Sequence, residues 1–469
     1  MSIGKLTNNI KNVMAEATRN DIRNTAKDDT YYIYVAYSDS EDYPFADSDR
    51  SEGTTDSDLA VLYKNIVTMH RVLPGGVSRV IARKNWTLNS QYVGWYSDIE
   101  NDSDYYVLTT EIIQGVARQN VYKCLFSPPR TVSTIAPTGT GSTPFRTADN
   151  YIWQFMYTVT NSEALLFQNS RFMPVPEKVT LTEAQTLSTS VPRYSQLQVQ
   201  NNAKEGGVYN IRINPNANDS DVINRSSKTT IKIRAQDGTG GTPNQYFQAT
   251  ATRNSDSDRL WSFEVTNFGE GYDALPYATD SETGTKLNIF KIDQAPGLGH
   301  GTDAGNELNA RFVMLTSRSV PADDTGFAKL ATNDFSVLGV IKNPIDVNTD
   351  QIATRDYYTV AEKLLLDTPS LFAEDEEFYK SGYAYDSDFA GKVVANSNRE
   401  LFYINVGKLE NVFADSDSII SGSTSNKITK KFGREIKLNS GEFLTVDYLT
   451  EAIQRSSDQI ESLNIILKL

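Results

Sequence analysis

General acid–base chemistry needs a group that exchanges a proton near neutral pH, and histidine is the usual choice. This chain of 469 residues carries two, His70 and His300. His300 sits in the turn Gly299-His300-Gly301, which could present a base. No nucleophile motif accompanies it, and the flanking glycines read as positions of positive φ, so the turn is expected to be structural. His70 falls near the end of a predicted helix, where the dipole favours a cation, and it too is expected to be structural. The one cysteine, Cys124, stands in the strand-like run Val121-Tyr-Lys-Cys-Leu-Phe126 with no histidine near it in sequence. It reads as a small buried hydrophobe. A single cysteine also excludes an internal disulfide and any multi-cysteine zinc or iron–sulfur site.

Metal chemistry has one apparent candidate, a recurring Asp-Ser-Asp at Asp47–Asp49, Asp56–Asp58, Asp102–Asp104, Asp219–Asp221, Asp256–Asp258, Asp386–Asp388 and Asp415–Asp417. Alternate carboxylates can bind calcium, but none of these runs has Gly at the sixth position together with Glu at the twelfth. Asp386 comes nearest with Gly391, yet Ala390 replaces a ligand and Ser397 holds the closing position. Solvated turns and helix caps are the expectation, with no metal assigned. Neither Gly139-Thr-Gly-Ser-Thr143 nor Gly238-Thr-Gly-Gly241 ends in the Gly-Lys-Ser/Thr of a phosphate loop, and both read as turns. With 59 acidic residues, carboxylate pairs of the glycosidase kind arise by chance, and none is singled out. The reading assigns no catalytic residue, cofactor, metal or small-molecule substrate. A net charge of −14 argues against a nucleic-acid groove, which draws its affinity from clustered Lys and Arg.

The elements around these residues are mostly strands. Aromatics make up 10% of the chain, 25 of them Tyr, with polar turn residues between runs, which favours half-buried strands. Tyr31–Tyr37 reads as a strand, and Tyr151, Trp153, Phe155, Tyr157 and Val159 form one face of another that belongs in the centre of a sheet. Leu6, Ile10, Val13, Met14 and Ala17 recur at helical spacing and predict an N-terminal amphipathic helix. Thr55-x-x-Asp58 offers a capping box for a second helix, with Leu59, Leu62, Tyr63, Ile66 and Met69 on one stripe and Pro74-Gly75-Gly76 as its stop. Between about 187 and 295 the texture becomes short strands, Val208–Ile213, Thr230–Arg234, Phe247–Thr252 and Leu260–Val265, separated by turn residues. A further strand region surrounds Phe335–Ile341. The last thirty residues predict two strands, the second alternating Leu463, Ile465, Leu467 and Leu469. So apolar a terminus has to be a paired strand or a contact with another subunit.

The fold class expected is mainly β: a layered β-sandwich with helix-bearing loops, plus an inserted small β domain. Residues 1–186 and 296–469 would form the two parts of the sandwich, and 187–295 the insertion. No secretory leader or bilayer-length apolar run is evident, so the expectation is a soluble chain made in a cytoplasm.

These residues, taken in order, resemble the dimeric baseplate wedge subunit of T-even-like contractile-tailed phages, the gene product eight family. The likeness runs from Tyr31–Tyr37 and Tyr43-Pro44-Phe45 through Val72-Leu73-Pro74 to Arg79-Val-Ile-Ala-Arg-Lys-Asn-Trp86. Val121–Leu125 and Asp149–Phe155 look like the family's paired strand motifs, and Met173-Pro174-Val175-Pro176 like the segment that follows. Gly299-His-Gly301 with Glu307-Leu308 is similar to longer marine members. Phe335–Pro344, Ser440-Gly441-Glu442 and Asp458-Gln459-x-Glu461 complete the pattern, which covers most of 24–180 and 296–469. Leu449-Thr-Glu-Ala452 departs from the family's Asn-Arg-x-Pro-like turn, and the insertion has no counterpart in shorter members.

The resemblance implies a homodimer in the virion's tail baseplate, one of six wedges around the hub. There it would bridge other wedge proteins and help transmit the switch that triggers sheath contraction. It implies no enzyme, cofactor, nucleic acid, membrane or small-molecule partner. The other reading, from a different class, is a carbohydrate-binding or carbohydrate-cleaving tail component using aromatic platforms and paired carboxylates.

Overall fold

The structure is a computed structural model. It describes residues 8–37, 56–97, 99, 103–113, 115–184, 186–188, 191–217, 230–238, 243–253, 261–317, 320–321, 335–383, 386–407, 409, 412–453, 460–461 and 463–468. The fold is mainly β, built from several antiparallel sheets, as the composition leads one to expect. Two compact units divide the chain, and they do not follow the expected boundaries at 186 and 295. The first comprises Met1–Glu16, Ser78–Val313 and Lys468–Leu469; the second comprises Ala17–Val77 and Met314–Leu467.

The chain begins with α1 (Asn8–Arg23), β1 (Tyr31–Ala36), α2 (Asp56–Asn65) and β2 (Ile66–Val72). Helix α1 is where its spacing predicts it, but the opposite face is covered. Asn12, Ala15, Arg19 and Ile22 are buried, whereas Ile10, Val13 and Met14 are 47%, 61% and 42% exposed. Leu6 lies outside the described residues. The second helix is shorter than its stripe suggests, because the chain turns to strand at Ile66. The run Ile66-Val67-Thr68 is β-branched or hydroxyl-bearing, stiff at χ1 and suited to a pleated surface, and it finds partners on both sides. His70 is therefore not at a helix end. It is buried in β2, opposite Ile33 on one side and Tyr357 on the other. Thr55, the expected cap, and Tyr43–Phe45 lie outside the described residues.

In the second unit β2 and β1 belong to a five-stranded sheet ordered Tyr357–Thr359, β2, β1, Phe335–Lys342, Glu442–Ile453. Tyr34 pairs in register with Gly339, where a Cβ would stand 2.1 Å from the phenol oxygen, and its hydroxyl donates to Thr445 O at 3.0 Å. Only a residue without a side chain lets that ring cross. The strands between Glu362 and Phe432 close into a six-stranded barrel filled by Leu364, Phe378, Tyr403, Ile419 and Ile428. Asp386 caps a short turn at the barrel's rim through Asp388 N (3.0 Å), and Asp417 meets Lys380 at 2.8 Å. The Asp-Ser-Asp runs at 47–49, 219–221 and 256–258 lie outside the described residues. Leu463, Ile465 and Leu467 are buried, and the last strand, Asn464–Lys468, is paired.

The first unit opens with β3 (Val77–Ala82), β4 (Tyr106–Ile113), β5 (Val116–Phe126), β6 (Phe145–Arg146), β7 (Ile152–Val159) and β8 (Phe172–Val175). Strands β4, β5, β7 and β6 lie in that order in one sheet, so β7 is interior, and all eight of its residues are buried. Helices α3 (Asn161–Phe167), α4 (Leu181–Ala184) and α5 (Pro192–Asn202) follow. A capping box starts α3: Thr160 Oγ1 accepts from Glu163 N, and Glu163 Oε2 accepts from Thr160 N.

The inserted segment then forms its own six-stranded antiparallel sheet. Its strands are β9 (Val208–Ile213), β10 (Thr230–Gln236), β11 (Gln248–Arg253), β12 (Trp261–Asn267), β13 (Tyr277–Asp280) and β14 (Lys286–Gln294), in the order β12, β11, β10, β13, β14, β9. Four of these lie close to where the sequence predicts them. Their core, with Ile231, Phe247, Trp261 and Phe290, is continuous with Leu125, Phe126 and Ile152 at the ends of β5 and β7. That shared apolar surface makes 78–313 one unit rather than two.

Candidate functional site

Chemistry-bearing side chains converge at one place in the first unit. Strand β5 has neighbours on both edges, and from Asn120 to Phe126 every residue is buried, so both of its faces are covered there. The alternation that turns Tyr122 and Cys124 one way turns Val121, Lys123 and Leu125 the other, and Lys123 reaches the interior with a fully buried ammonium. Just after the insertion, the turn at 297–303 and the short helix α6 (Ala304–Glu307) deliver two partners. Glu307 Oε2 stands 2.7 Å from Lys123 Nζ, and His300 Nδ1 stands 2.9 Å from it. The imidazole is 3.5 Å from the same carboxylate oxygen.

The other carboxylate oxygen closes the turn. Glu307 Oε1 accepts from Gly301 N at 2.7 Å and from Asp303 N at 3.2 Å. Asp303 caps α6 by accepting from Asn306 N at 3.0 Å. Gly299 and Gly301 have φ of +107° and +92°, as the sequence leads one to expect of this turn. A Cβ on Gly299 would meet the Lys204 backbone at 2.5 Å, and one on Gly301 would meet Val199 Cγ1 at 2.3 Å. Aromatic walls complete the site. Lys123 Nζ lies 4.2 Å from the Trp95 ring, whose edge meets the His300 ring at 4.9 Å, and Tyr209 lies 5.5 Å from His300.

The electrostatics follow from this packing. Burial lowers the Lys123 affinity for its proton, and the charge of Glu307 opposes that, so the pair stays ionised. For Glu307, burial raises the pKa but is outweighed by Lys123 and His300, which hold the carboxyl at about 2. Burial, and then the charge of Lys123, lowers His300 to about 4. The imidazole is therefore neutral at pH 7, with Nδ1 accepting from the ammonium and the proton on Nε2. Neighbouring Cys124 is buried, and burial pushes its thiol up, away from nucleophilic chemistry.

An ammonium, a carboxylate and a neutral imidazole within 3.5 Å of one another are suited to proton exchange, but here they face one another and two aromatic rings. Three surface cavities, of about 340, 490 and 200 Å³, are lined by other residues. What the cluster does is fix the Gly299–Glu307 turn against β5. Sequence reasoning found His300 and its glycines, but it passed over Lys123 and Glu307 as site residues. The available signal was the lone charge in Val121–Phe126, since a single lysine within an interior strand must be buried with a counter-ion. His70 belongs to the second unit and takes no part.

Among the described residues no helix is long and apolar enough to cross a membrane, and no group of three or more His, Cys, Asp or Glu is placed to hold a metal ion. No protein-family model matches the chain, and no curated protein matches it.

Proposed function

We propose that this chain is a structural subunit of a phage tail baseplate wedge, acting through contacts with other polypeptides rather than by turnover. The observation that carries the reading is the inverted face of α1. Burying Asn12 and Arg19 while Ile10, Val13 and Met14 stand in water is the wrong way round for a helix that ends at solvent. It is the right way round for one whose outer stripe is covered in an assembly. The ordered string of wedge-like motifs supports the same conclusion, because much of it falls on strands that build the sheets: the buried strands β1, β3 and β7 and the buried second half of β5, together with Phe335–Lys342 and the start of Glu442–Ile453. In this reading the chain forms a homodimer and bridges neighbouring wedge proteins, and contacts favoured in one assembly state bias the baseplate toward contraction.

The test is assembly. With Val13→Glu, the purified chain should keep its fold, since the side chain is exposed, yet fail to enter tail particles that accept the parent chain. Particle reconstruction should place the parent chain's density in the baseplate. Density elsewhere in the particle, or saturable glycan binding with hydrolysis by the purified protein, would overturn the reading in favour of the carbohydrate-directed class.

A further inference from the structure

A cleft of about 200 Å³ opens in the first unit where β3 ends, β8 begins and the chain turns beyond α6. Its walls include Tyr106, Leu308, Phe172 and Phe312, with Arg171 and Arg311 at its sides. The frame is fixed. Tyr106 donates to Ala82 O at 2.9 Å, Asn309 takes φ +55° and donates to the Tyr105 hydroxyl, and the rings of Phe172 and Phe312 meet edge to face at 5.5 Å. Nearby cations are already matched: Lys84 pairs with Asp104 at 3.0 Å, and Arg83 donates to Asn85 Oδ1 and Asn169 O.

Arg171 and Arg311 differ from them. Each guanidinium rests by the ring of the following phenylalanine, at 5.8 and 5.4 Å. Among the described residues neither has a carboxylate within ion-pair distance or a side-chain hydrogen-bond acceptor. In a chain with 59 acidic and 45 basic residues, two unmatched guanidiniums on one cleft are the unexpected arrangement.

We propose that this cleft receives the carboxylate side chain of an acidic segment of a partner polypeptide. A guanidinium beside an aromatic ring, with no side-chain acceptor among the described residues, keeps its planar fork of N–H donors free, and that fork matches a carboxylate bidentately. The apolar floor suits the methylenes of a Glu or Asp side chain. The volume is below the several hundred Å³ of small-molecule sites and fits one side chain. A phosphodiester strand brings a sugar and a base with each phosphate, which a cleft of about 200 Å³ does not enclose. The cleft is a different surface from α1, and its chemistry holds whatever assembly the chain joins.

The experiment uses the full-length chain and a fluorescein-labelled hexaglutamate peptide, read by anisotropy at low salt. Saturable binding is expected, absent for a hexaglutamine peptide and not displaced by inorganic phosphate or oligothymidylate at matched concentration. Arg171→Gln with Arg311→Gln should weaken it about tenfold or more, and Arg171→Lys with Arg311→Lys should retain part of it, since charge persists without the fork. Tryptophan emission of both variants should match the parent. Equal affinity in the glutamine variant, no binding to the parent, or tighter binding of oligothymidylate would each overturn the proposal.

Discussion

Replacing Glu307 by Gln removes one charge from the buried cluster and little else. The amide oxygen can still accept from Gly301 N and Asp303 N, as Oε1 does now, so the turn keeps its acceptor while Lys123 loses its anion. Removing one partner of a buried pair costs about 3–5 kcal/mol. Proton release sets an independent ceiling. Lysine's ordinary pKa lies roughly 3.5 units above neutrality, so shedding the Lys123 proton at pH 7 costs about 5 kcal/mol. Two routes to the same figure make about 4 kcal/mol the expected deficit, a large fraction of the roughly 5–15 kcal/mol that holds most domains. The mechanism also fixes a sign. In the variant the folded Lys123 binds its proton less tightly than the unfolded one, so the unfolded state holds more protons and stability rises with pH, by about 1.4 kcal/mol per unit until the unfolded lysine titrates. All four tryptophans, Trp86, Trp95, Trp153 and Trp261, lie in the first unit, so urea unfolding followed by their emission reports that unit alone. The deficit relative to the parent should shrink by more than half between pH 7 and pH 9. A deficit under about 1 kcal/mol at pH 7, or one that does not change over that range, would refute the assignment of an ionised Lys123–Glu307 pair.

The parent chain should itself be acid-labile. His300 is lowered from 6.5 to about 4, so its contribution is complete above 6.5 and is lost as pH falls toward 4, on the order of 3 kcal/mol; Glu307, lowered from 4.5 to about 2, adds a second loss between those values. His300→Asn should flatten the first of these steps in tryptophan-monitored urea titrations and shrink the second, since Glu307 then keeps only Lys123 to hold its carboxyl low. The Gly299→Ala variant should lose about 2 kcal/mol or more, since it combines a left-handed φ with a clash against the Lys204 backbone. Gly75→Ala, with nothing within 4 Å of its Cβ, should stay within about 0.5 kcal/mol of the parent in thermal melts.

What the sequence makes legible follows from how local the signal is. The strand at Tyr151–Val159 and the short strands of the insertion depend on period and turn residues a few positions apart, and the elements lie close to where those predict them, although a register shift opposite Val121–Tyr122 places Tyr157 and Val159 in a different core cluster from Tyr151, Trp153 and Phe155. The boundary of α2 was not legible, because Ile66 and Met69 fit a helical stripe as well as they fit a strand, and the choice is made by β1 and Tyr357–Thr359, distant in sequence. The covered face of α1 is hidden for the same reason: tertiary packing buries Asn12 and Arg19 against the grain of the pattern. The insertion shares a core with Leu125 and Phe126, a contact no composition shift records. At the candidate site, the Gly-His-Gly turn could be read directly, whereas the partners of His300 could not, since Lys123 is 177 positions away.

The placing of that cluster suggests why charges are buried there at all. A buried ion pair contributes little stability beyond what an apolar pair of similar volume would supply. It does discriminate between arrangements, because a slip of the returning chain would leave an ammonium or a carboxylate alone in the core. The chain departs from the sheet of β5 and β7, builds six strands, and must rejoin at one register; His300 and Glu307 come within about fifteen residues of β14, where that register is set. If the pair serves specificity rather than stability, Lys123→Met combined with Glu307→Gln should regain most of the stability that Glu307→Gln loses. The turn would still loosen, since a neutral amide oxygen accepts from Gly301 N and Asp303 N more weakly than the carboxylate does. Hydrogen exchange across 297–308 should therefore quicken in the double variant while the global unfolding free energy stays within about 1 kcal/mol of the parent. Unchanged exchange in that segment would mean the turn is held by its glycines and by Asp303 alone, and that the charges do not specify how the chain returns.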